Sequence, residues 1–199
     1  MKFIIATNNK KKLRELREIL DEFGIYAVSL DDAGICSEVE ETGTTFEENA
    51  VLKAQDAMKI MGIPAIADDS GLEVDALGGE PGIYSARFGG DACANDVERY
   101  ELLLKKLENV PDEERTARFV SAIACVFPDG RKIITRGECE GTITRSPQGD
   151  GGFGYDPIFY LPDEKMTMAE ITQERKNEIS HRAASLAKLR EEFKNINLK

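Results

Sequence analysis

The sequence is poor in the residues that build several common catalytic and metal sites. It has one histidine, His181, which excludes multi-histidine metal sites and leaves any Ser-His-Asp or Cys-His scheme dependent on that residue. No G-x-x-x-x-G-K-[ST] motif occurs, so a Walker loop is excluded. No C-x-x-C pair occurs either, and we interpret all the cysteines as reduced residues without a metal or disulfide role. These cysteines are Cys36, Cys93, Cys125 and Cys139.

Long hydrophobic runs are also missing. No window is long and apolar enough to span a bilayer, and the apolar stretch at 3–6 is too short for the core of a signal peptide. We therefore expect a cytoplasmic protein. No repeat, low-complexity tract or shift in composition marks a boundary, and 199 residues suffice for one well-buried domain, so 1–199 is expected to form a single domain.

Positive charge is in deficit. Lysine and arginine number 26 against 37 aspartate and glutamate residues, which gives a formal net charge of −11. Such a surface repels nucleic acid polymers and anionic membranes at long range. It is compatible with a small phosphate ligand if lysines are gathered locally and a cation assists.

The most unusual stretch is 65–75, where a short apolar run leads into Asp68, Asp69, Ser70 and Gly71. We predict a buried strand that leaves the sheet at these polar residues. Successive strand residues point to opposite faces, so the two aspartates are expected to have different roles. One interpretation is a turn, for which these residues are well suited. The other is a metal held by hard oxygen ligands.

The N-terminal region combines a short strand, Phe3–Ile5, with a polar loop and an amphipathic helix whose apolar stripe runs from Leu13 to Phe23. Lysines at a helix N-terminus oppose the macrodipole, and a phosphate bound there would relieve the conflict. The alternative is a solvated run of charge. The loop residues are Thr7, Asn8, Asn9, Lys10, Lys11 and Lys12.

A second helix is predicted after an acidic loop at 31–43. Thr45 and Glu48 have the spacing of a capping box, and Gly62 before Pro64 is a stop signal. Lys53 lies off the apolar stripe of this helix. It is either an exposed lysine or one that reaches a phosphate.

The remaining elements are predicted from local signals. We expect a strand at 26–30, a helix at 95–108, and a hairpin with strands at 118–127 and 131–137 around a Pro-Asp-Gly turn. Thr167 and Glu170 have capping-box spacing and predict a short helix there. Lys176 then precedes a final helix with His181 and Arg182 near its start, either as donors to a cleft or as a solvent-facing pair.

The stretch 148–159 is rich in glycine, which lets the backbone approach a ligand closely. Phe153 and Tyr155 stand among these glycines and could stack on a nucleobase. The alternative is a strand relieved by glycines that continues into the apolar residues at 158–160.

Six segments in order resemble the inosine triphosphate pyrophosphatase family, also called the Ham1-like family. The first motif of that family usually reads [ST]-G-N-x-x-K, which aligns Asn9 and Lys12 with it and puts Asn8 in the glycine position, where we expect a positive φ. The matching segments are Ala6–Lys12, Glu41–Ala50, Ile66–Asp75, Pro81–Arg87, Gly152–Pro157 and Ser180–Arg182.

The resemblance implies hydrolysis of ITP, dITP and XTP to the nucleoside monophosphate and pyrophosphate. It also implies a mixed α/β fold, with an elongated twisted mixed sheet flanked by helices, and two lobes with a central cleft. A homodimer and a bound Mg²⁺ are implied as well.

The resemblance further implies roles for individual residues. Mg²⁺ would be held by Glu40 or Glu41 and by Asp69, with Asp68 nearby, and Asp69 would be the general base. Lys53 joins Asp69 as a catalytic candidate.

The triphosphate would be bound by Asn9, Lys12 and Lys53, with Ser70 near the substrate. Phe153 would stack on the purine. The polar edge of the purine would be lined by Asp156, Lys176, His181 and Arg182. The wider set of substrate-binding candidates adds Thr7, Asn8, Lys10, Lys11, Gly154 and Tyr155.

Two other functions fit parts of the pattern. A metal-dependent nucleotidyl- or glycosyltransferase could use Asp68 and Asp69 at a strand end. A nucleotide sensor without catalysis could bind the same ligand, although a binder of anions would be expected to avoid so many carboxylates.

Overall fold

The computed structural model describes residues 2–22, 24–35 and 39–195. Within them, seven strands form one sheet in the order β2-β1-β3-β4-β5-β6-β7. The strands are β1 (Phe3–Ile5), β2 (Ala27–Ser29), β3 (Ala65–Val74), β4 (Thr116–Val126), β5 (Lys132–Ile143), β6 (Phe159–Leu161) and β7 (Met166–Thr167). The α-helices are α1 (Lys10–Glu22), α2 (Phe46–Met61), α3 (Asp96–Lys106), α4 (Gln173–Ile179) and α5 (His181–Asn195).

The sheet is mixed. Strand β1 pairs in parallel with β2 and β3, whereas β6 pairs antiparallel with both β5 and β7. The mixed α/β class expected from the sequence is confirmed. Among the described residues, no helix combines the length and the apolar character needed to cross a membrane.

The chain divides into two compact units. Unit 1 comprises 1–69, 121–137 and 181–199, and unit 2 comprises 70–120 and 138–180. In unit 1, apolar side chains of α1 and α5 pack against β1, β3 and β4. Leu16 and Leu20 from α1 and Leu186 from α5 meet Phe3 and Ile123 in this core.

Unit 2 has its own core. Leu72 of β3, Leu103 of α3 and Phe119 of β4 pack with Phe159 of β6, whose ring centroid lies 4.4 Å from that of Phe119. Three cysteines lie in the described residues, and all three are free thiols, as expected. Cys36, like Phe23 at the end of the predicted α1 stripe, lies outside the described residues.

Local signals predicted several elements well. Thr45 caps α2 by accepting a hydrogen bond from the Glu48 N–H at 3.1 Å, and Gly62 ends the helix with φ 66°. The predictions for β1, α3 and the hairpin are confirmed as well, although β5 continues beyond its predicted end at Gly137. A Cβ at that position would lie 2.2 Å from the His181 carbonyl oxygen. Gly137 therefore permits close packing against α5 and does not end the strand.

Two predictions about individual elements are wrong. Strand β3 continues through Asp68 and Asp69 to Val74, so these residues are neither a turn nor the exit of the strand. Thr167 belongs to β7. Its N–H and its hydroxyl donate to the Glu170 carboxylate, and no helix begins there. The short helix that follows, α4, begins after its N-cap Thr172 and contains Lys176, which precedes the final helix α5 as predicted.

Candidate active site

A buried cluster of charged side chains forms around Asp68 in unit 1. Helix α1 contributes Lys12, whose Nζ lies 3.0 Å from Asp68 Oδ2, and α5 contributes Arg182, whose Nε lies 3.4 Å from the same oxygen. Ser121 of β4 donates its hydroxyl to Asp68 Oδ1 at 2.6 Å. The Arg182 guanidinium also pairs with Glu15 of α1. Four elements are therefore tied together through one carboxylate.

The electrostatics of this cluster favour an ionised Asp68. Burial by itself disfavours the carboxylate, but the charges of Lys12 and Arg182 hold the pKa of Asp68 well below its ordinary value. Burial lowers the pKa of Lys12, with Asp68 opposing that shift. Asp68 therefore holds Lys12 and Arg182 in place. That Asp68 also binds a metal stays a prediction.

Asp69 has a different set of contacts. Lys53 of α2 places Nζ 2.7 Å from Asp69 Oδ1 and 2.9 Å from Glu41 Oε1. The other oxygen, Asp69 Oδ2, is buried and finds no hydrogen-bond partner in the described part of the chain. Because Asp68 contacts Lys12 and Arg182 instead, the expectation that the two aspartates have different roles is confirmed at the level of their partners.

Burial and the Lys53 ammonium act in opposite directions on the ionisation of Asp69. Burial raises the pKa of Asp69, and the Lys53 ammonium opposes that shift. Burial also disfavours the ammonium, yet Asp69 and Glu41 together raise the pKa of Lys53. The group thus holds a charged lysine beside a carboxylate whose proton affinity is increased. Lys53 is not an exposed lysine, so that alternative is wrong.

The carboxylates of Glu41 and Asp69 fit the Mg²⁺ that the family resemblance implies. Magnesium prefers hard oxygen ligands and usually takes one or two carboxylates, with waters and substrate phosphates completing its shell. The unpartnered oxygen of Asp69 and the neighbouring Glu41 carboxylate supply such donors. Glu40 is exposed. No group of three or more His, Cys, Asp or Glu side chains with metal-binding geometry occurs within 2–22, 24–35 and 39–195.

The loop before α1 is organised by Asn9. Its Oδ1 accepts hydrogen bonds from the N–H groups of Lys11 and Lys12 at 3.0 and 3.1 Å, which makes Asn9 the N-cap of the helix. Thr7 supports it by accepting from the Asn9 N–H at 3.2 Å. This cap was not predicted, although asparagine before a helix is a common capping signal.

The lysines of this loop divide into two groups. Lys10 and Lys11 are exposed, whereas Lys12 turns inward to Asp68. Asn8 is exposed too. The positive φ expected for Asn8 is wrong, because the one non-glycine residue with a positive φ in the described part of the chain is Lys165. A phosphate contact for these residues stays a prediction.

In unit 2, the glycine-rich stretch forms a tight loop around a buried ion pair. Asp156 Oδ2 lies 2.6 Å from Lys176 Nζ and accepts the Phe153 N–H at 2.8 Å. Lys176 Nζ lies 4.7 Å from the centroid of the Phe153 ring, which is within cation–π range. A Cβ on Gly152 would lie 2.1 Å from Asp156 Oδ2. The glycine therefore permits the carboxylate to approach the backbone, and the alternative of a strand over 148–157 is wrong.

Tyr155 requires a correction. Only 5% of the residue is exposed, and its ring lies in the core of unit 2. Its hydroxyl donates to the Ser85 carbonyl oxygen at 2.9 Å, and burial raises its pKa. The ring is thus used for packing and is not available for stacking on a base.

Gly154 is partly exposed and donates its N–H to Asp96 Oδ2 at 3.0 Å. Ser70, the first residue of unit 2, is half-buried within β3.

His181 and Arg182 begin α5, as expected, and both are buried. The alternative of a solvent-facing pair is therefore wrong.

Sequence reasoning missed Glu15 and Ser121, which complete the cluster around Asp68 and Arg182. The available signal was the position of Glu15 beside the apolar stripe of α1, one turn after Lys12, where a charged side chain needs a partner.

The arrangement defines a mixed α/β protein with paired carboxylates and lysines in unit 1 and an aromatic beside a buried ion pair in unit 2. The chain belongs to the Ham1 family, whose family model matches residues 3–192. This confirms the resemblance that the six sequence segments indicated.

Individual relatives cover almost the whole chain. It is 51% identical over 191 residues to the dITP/XTP pyrophosphatase of Desulforamulus reducens, covering 96% of this chain and 94% of the relative. It is 48% identical over 196 residues to the dITP/XTP pyrophosphatase of Escherichia coli (strain K12), covering 98% of both chains. A solved structure of a HAM1 protein from Coxiella burnetii matches with a TM-score of 0.88 and 40% identity, covering 98% of this chain and 100% of that one.

Proposed function

We propose that the protein is a nucleoside triphosphate pyrophosphohydrolase that converts ITP, dITP and XTP to the nucleoside monophosphate and pyrophosphate. In this way it removes these non-standard purine nucleotides from the nucleotide pool. The observation that carries the proposal is the identity of about half of the residues, over nearly the full chain, to dITP/XTP pyrophosphatases. The charged groups of each unit support it chemically.

In the proposed reaction, the lysines of unit 1 bind the phosphate chain. Lys12 and Lys53 are both held by buried carboxylates, so their ammonium groups are fixed in position before the substrate arrives. Positioning and electrostatic stabilisation supply most of the catalysis in phosphoryl transfer, and no nucleophilic side chain is needed. Asn9 supports this function by capping the helix that carries Lys12.

Asp69 is proposed as the general base. The Asp69 carboxylate takes the proton of a water whose oxygen forms a bond to the α-phosphorus of the substrate. The bond from that phosphorus to the bridging oxygen breaks, and pyrophosphate leaves with the electron pair. The raised pKa of Asp69 favours proton uptake. Mg²⁺ bound by Glu41 and Asp69 would offset the negative charge on the phosphate oxygens.

The purine is proposed to be recognised in unit 2. Phe153 offers a ring for stacking, and the Lys176 ammonium beside it, which pairs with Asp156, is a hydrogen-bond donor. A donor facing purine position 6 donates a hydrogen bond to the keto oxygen of hypoxanthine or xanthine, whereas the amino group of adenine would leave that donor unpaired. A site of this kind can discriminate by orders of magnitude. His181 and Arg182, which begin α5 in unit 1, are proposed to contribute hydrogen-bond donors to substrate binding.

We further propose that 1–199 acts as one two-lobed domain, as a homodimer, in the cytoplasm, with Mg²⁺ as its metal. The decisive experiment measures pyrophosphate release from ITP, XTP, GTP and ATP, with and without Mg²⁺ and with no acceptor molecule present. Rapid release from ITP and XTP that requires Mg²⁺ is expected. Product that forms only with an acceptor would indicate a transferase, and binding of ITP without turnover would indicate a sensor.

A further inference from the structure

Asn49 lies on α2, one helical turn before Lys53, and none of its surface is exposed. Asparagine is a weak helix former because its side chain competes for backbone hydrogen bonds. Here the side-chain oxygen accepts the backbone N–H of Gly43 at 2.9 Å. The amide nitrogen is also buried and has no hydrogen-bond partner in the described ranges. The side chain of Asn49 is thus bonded to the acidic loop, two residues from Glu41.

The contact between Gly43 and Asn49 leaves no space for another side chain at position 43. An added Cβ would lie 2.6 Å from Asn49 Oδ1 and 2.7 Å from Glu48 Cβ. The next residue, Thr44, is also fixed, because its N–H and hydroxyl donate to Glu48 Oε2 at 2.7 and 3.0 Å. The segment that follows Glu41 is therefore anchored to the first turns of α2.

The same helix holds the side chain of Glu41. Residues four apart lie on one face of a helix, and Lys53 pairs with Glu41 and Asp69 from the position one turn after Asn49. Asn49 fixes the backbone of the acidic loop, while Lys53 fixes its carboxylate. Both contacts constrain where the Glu41 carboxylate lies relative to Asp69.

We propose that Asn49 is a positioning residue for the pyrophosphohydrolase reaction. By holding the Gly43 N–H, it keeps the Glu41 carboxylate beside Asp69, where the two can share a divalent cation. The inference rests on the proposed function and extends it to a residue that contacts neither reacting atoms nor metal. Its loss is expected to weaken metal binding while leaving purine recognition in unit 2 unchanged.

Two variants remove this hydrogen bond from its opposite ends. Asn49→Ala deletes the acceptor, and Gly43→Ala forces the donor away through the added Cβ. For both, we expect the Mg²⁺ concentration for half-maximal XTP hydrolysis to rise about 5- to 30-fold, the effect of losing one buried hydrogen bond. The KM for XTP at saturating Mg²⁺ is expected to stay within about twofold of the wild type, since the purine contacts are untouched.

The binding of Mn²⁺ gives a readout that needs no turnover. It is measured in the presence of an α,β-imido analogue of ITP, through the electron paramagnetic resonance signal of the free ion. Its dissociation constant is expected to rise in parallel in both variants. Thr45→Ala is the matched control, because it removes the N-cap bond of α2 and leaves the bond from Gly43 to Asn49 in place. This control should lower the melting temperature without changing Mn²⁺ affinity.

The outcomes separate the two proposals. Mn²⁺ affinity that is unchanged in Asn49→Ala and Gly43→Ala, or that falls equally in Thr45→Ala, overturns the positioning role. If Asn49→Ala does not fold, Gly43→Ala decides the question. A wild-type protein that binds Mn²⁺ with the analogue but releases no pyrophosphate from XTP overturns the proposed function instead.

Discussion

Two adjacent aspartates in β3 show how strongly the local environment determines the chemistry of a residue. Asp68 faces two cations and a hydroxyl, so its pKa is depressed despite complete burial. Asp69 faces one lysine that it shares with Glu41, and burial raises its pKa. The first carboxylate is suited to holding neighbouring side chains, and the second to accepting a proton. At the scale of single residues, the proposed mechanism depends on this difference.

The role of Asp68 predicts a large and pH-dependent loss of stability on substitution. Asp68→Asn leaves Lys12 and Arg182 buried without their shared carboxylate, which should cost about 3–5 kcal/mol at pH 7. Because the folded-state pKa is lowered, the stabilisation is present above the ordinary value of about 4 and is lost as the pH falls through the lowered pKa. The difference in unfolding free energy between wild type and variant should therefore shrink below about pH 4.

Urea denaturation at pH 7 and at pH 3 measures this difference, with Asp163→Asn, a substitution at an exposed residue, as the control. A cost that stays constant between the two pH values would show that the cluster does not stabilise Asp68 in its ionised form.

At the scale of elements, the loop at 152–156 is held in shape by Asp156, which contacts both Lys176 and the Phe153 N–H. Gly152 has φ 70° and lies against this carboxylate. Gly152→Ala should displace Asp156 and misplace the Phe153 ring, raising the KM for XTP about 5- to 100-fold, the range expected for loss of one stacked base. The value of kcat should change much less.

Steady-state kinetics with XTP and ITP test this prediction, with Gly130→Ala in the hairpin turn as the control because it too places alanine at a positive φ. A KM for Gly152→Ala that matches the control would contradict the role given to the loop.

The elements also show which features the sequence could predict. Both ends of α2 were predicted because Thr45, Glu48 and Gly62 act within their own turns of the chain. The course of β3 was not, because aspartates favour a turn unless cations distant in sequence neutralise them. Lys12 and Arg182 supply that neutralisation from α1 and α5. Tyr155 was misjudged for a similar reason, since its partner Ser85 lies far away in the chain.

The candidate site was predicted in part. The resemblance implied that the Glu40-Glu41 pair, Lys53 and Asp69 act together, and the structure joins Glu41, Lys53 and Asp69 in one group. It could not indicate that Glu15 and Ser121 complete the neighbouring cluster, nor that Asn49 anchors the acidic loop. The position of Glu15 beside the apolar stripe of α1 indicates that it needs a partner, but which residues meet in these contacts is decided by the folded structure.

At the scale of the whole molecule, the net charge of −11 opposes the binding of a nucleoside triphosphate. The half-buried Lys12 and Lys53 of unit 1 offset this only locally, because each already faces a carboxylate. We expect an α,β-imido analogue of ITP to raise the melting temperature by several degrees with Mg²⁺, and by much less when EDTA replaces the metal. An equal shift in both conditions, measured by calorimetry, would contradict the need for a cation.

The most direct test of the central claim, that Asp69 takes the proton during pyrophosphate release, is the turnover of Asp69→Asn with XTP and saturating Mg²⁺. The amide keeps the size of the side chain but cannot act as the base, so we expect kcat to fall by about 10²–10⁴-fold, the usual contribution of general base catalysis. Asp91→Asn, at an exposed position, is the control, and circular dichroism should show both variants folded. Turnover by folded Asp69→Asn within a few-fold of the wild type would contradict the account.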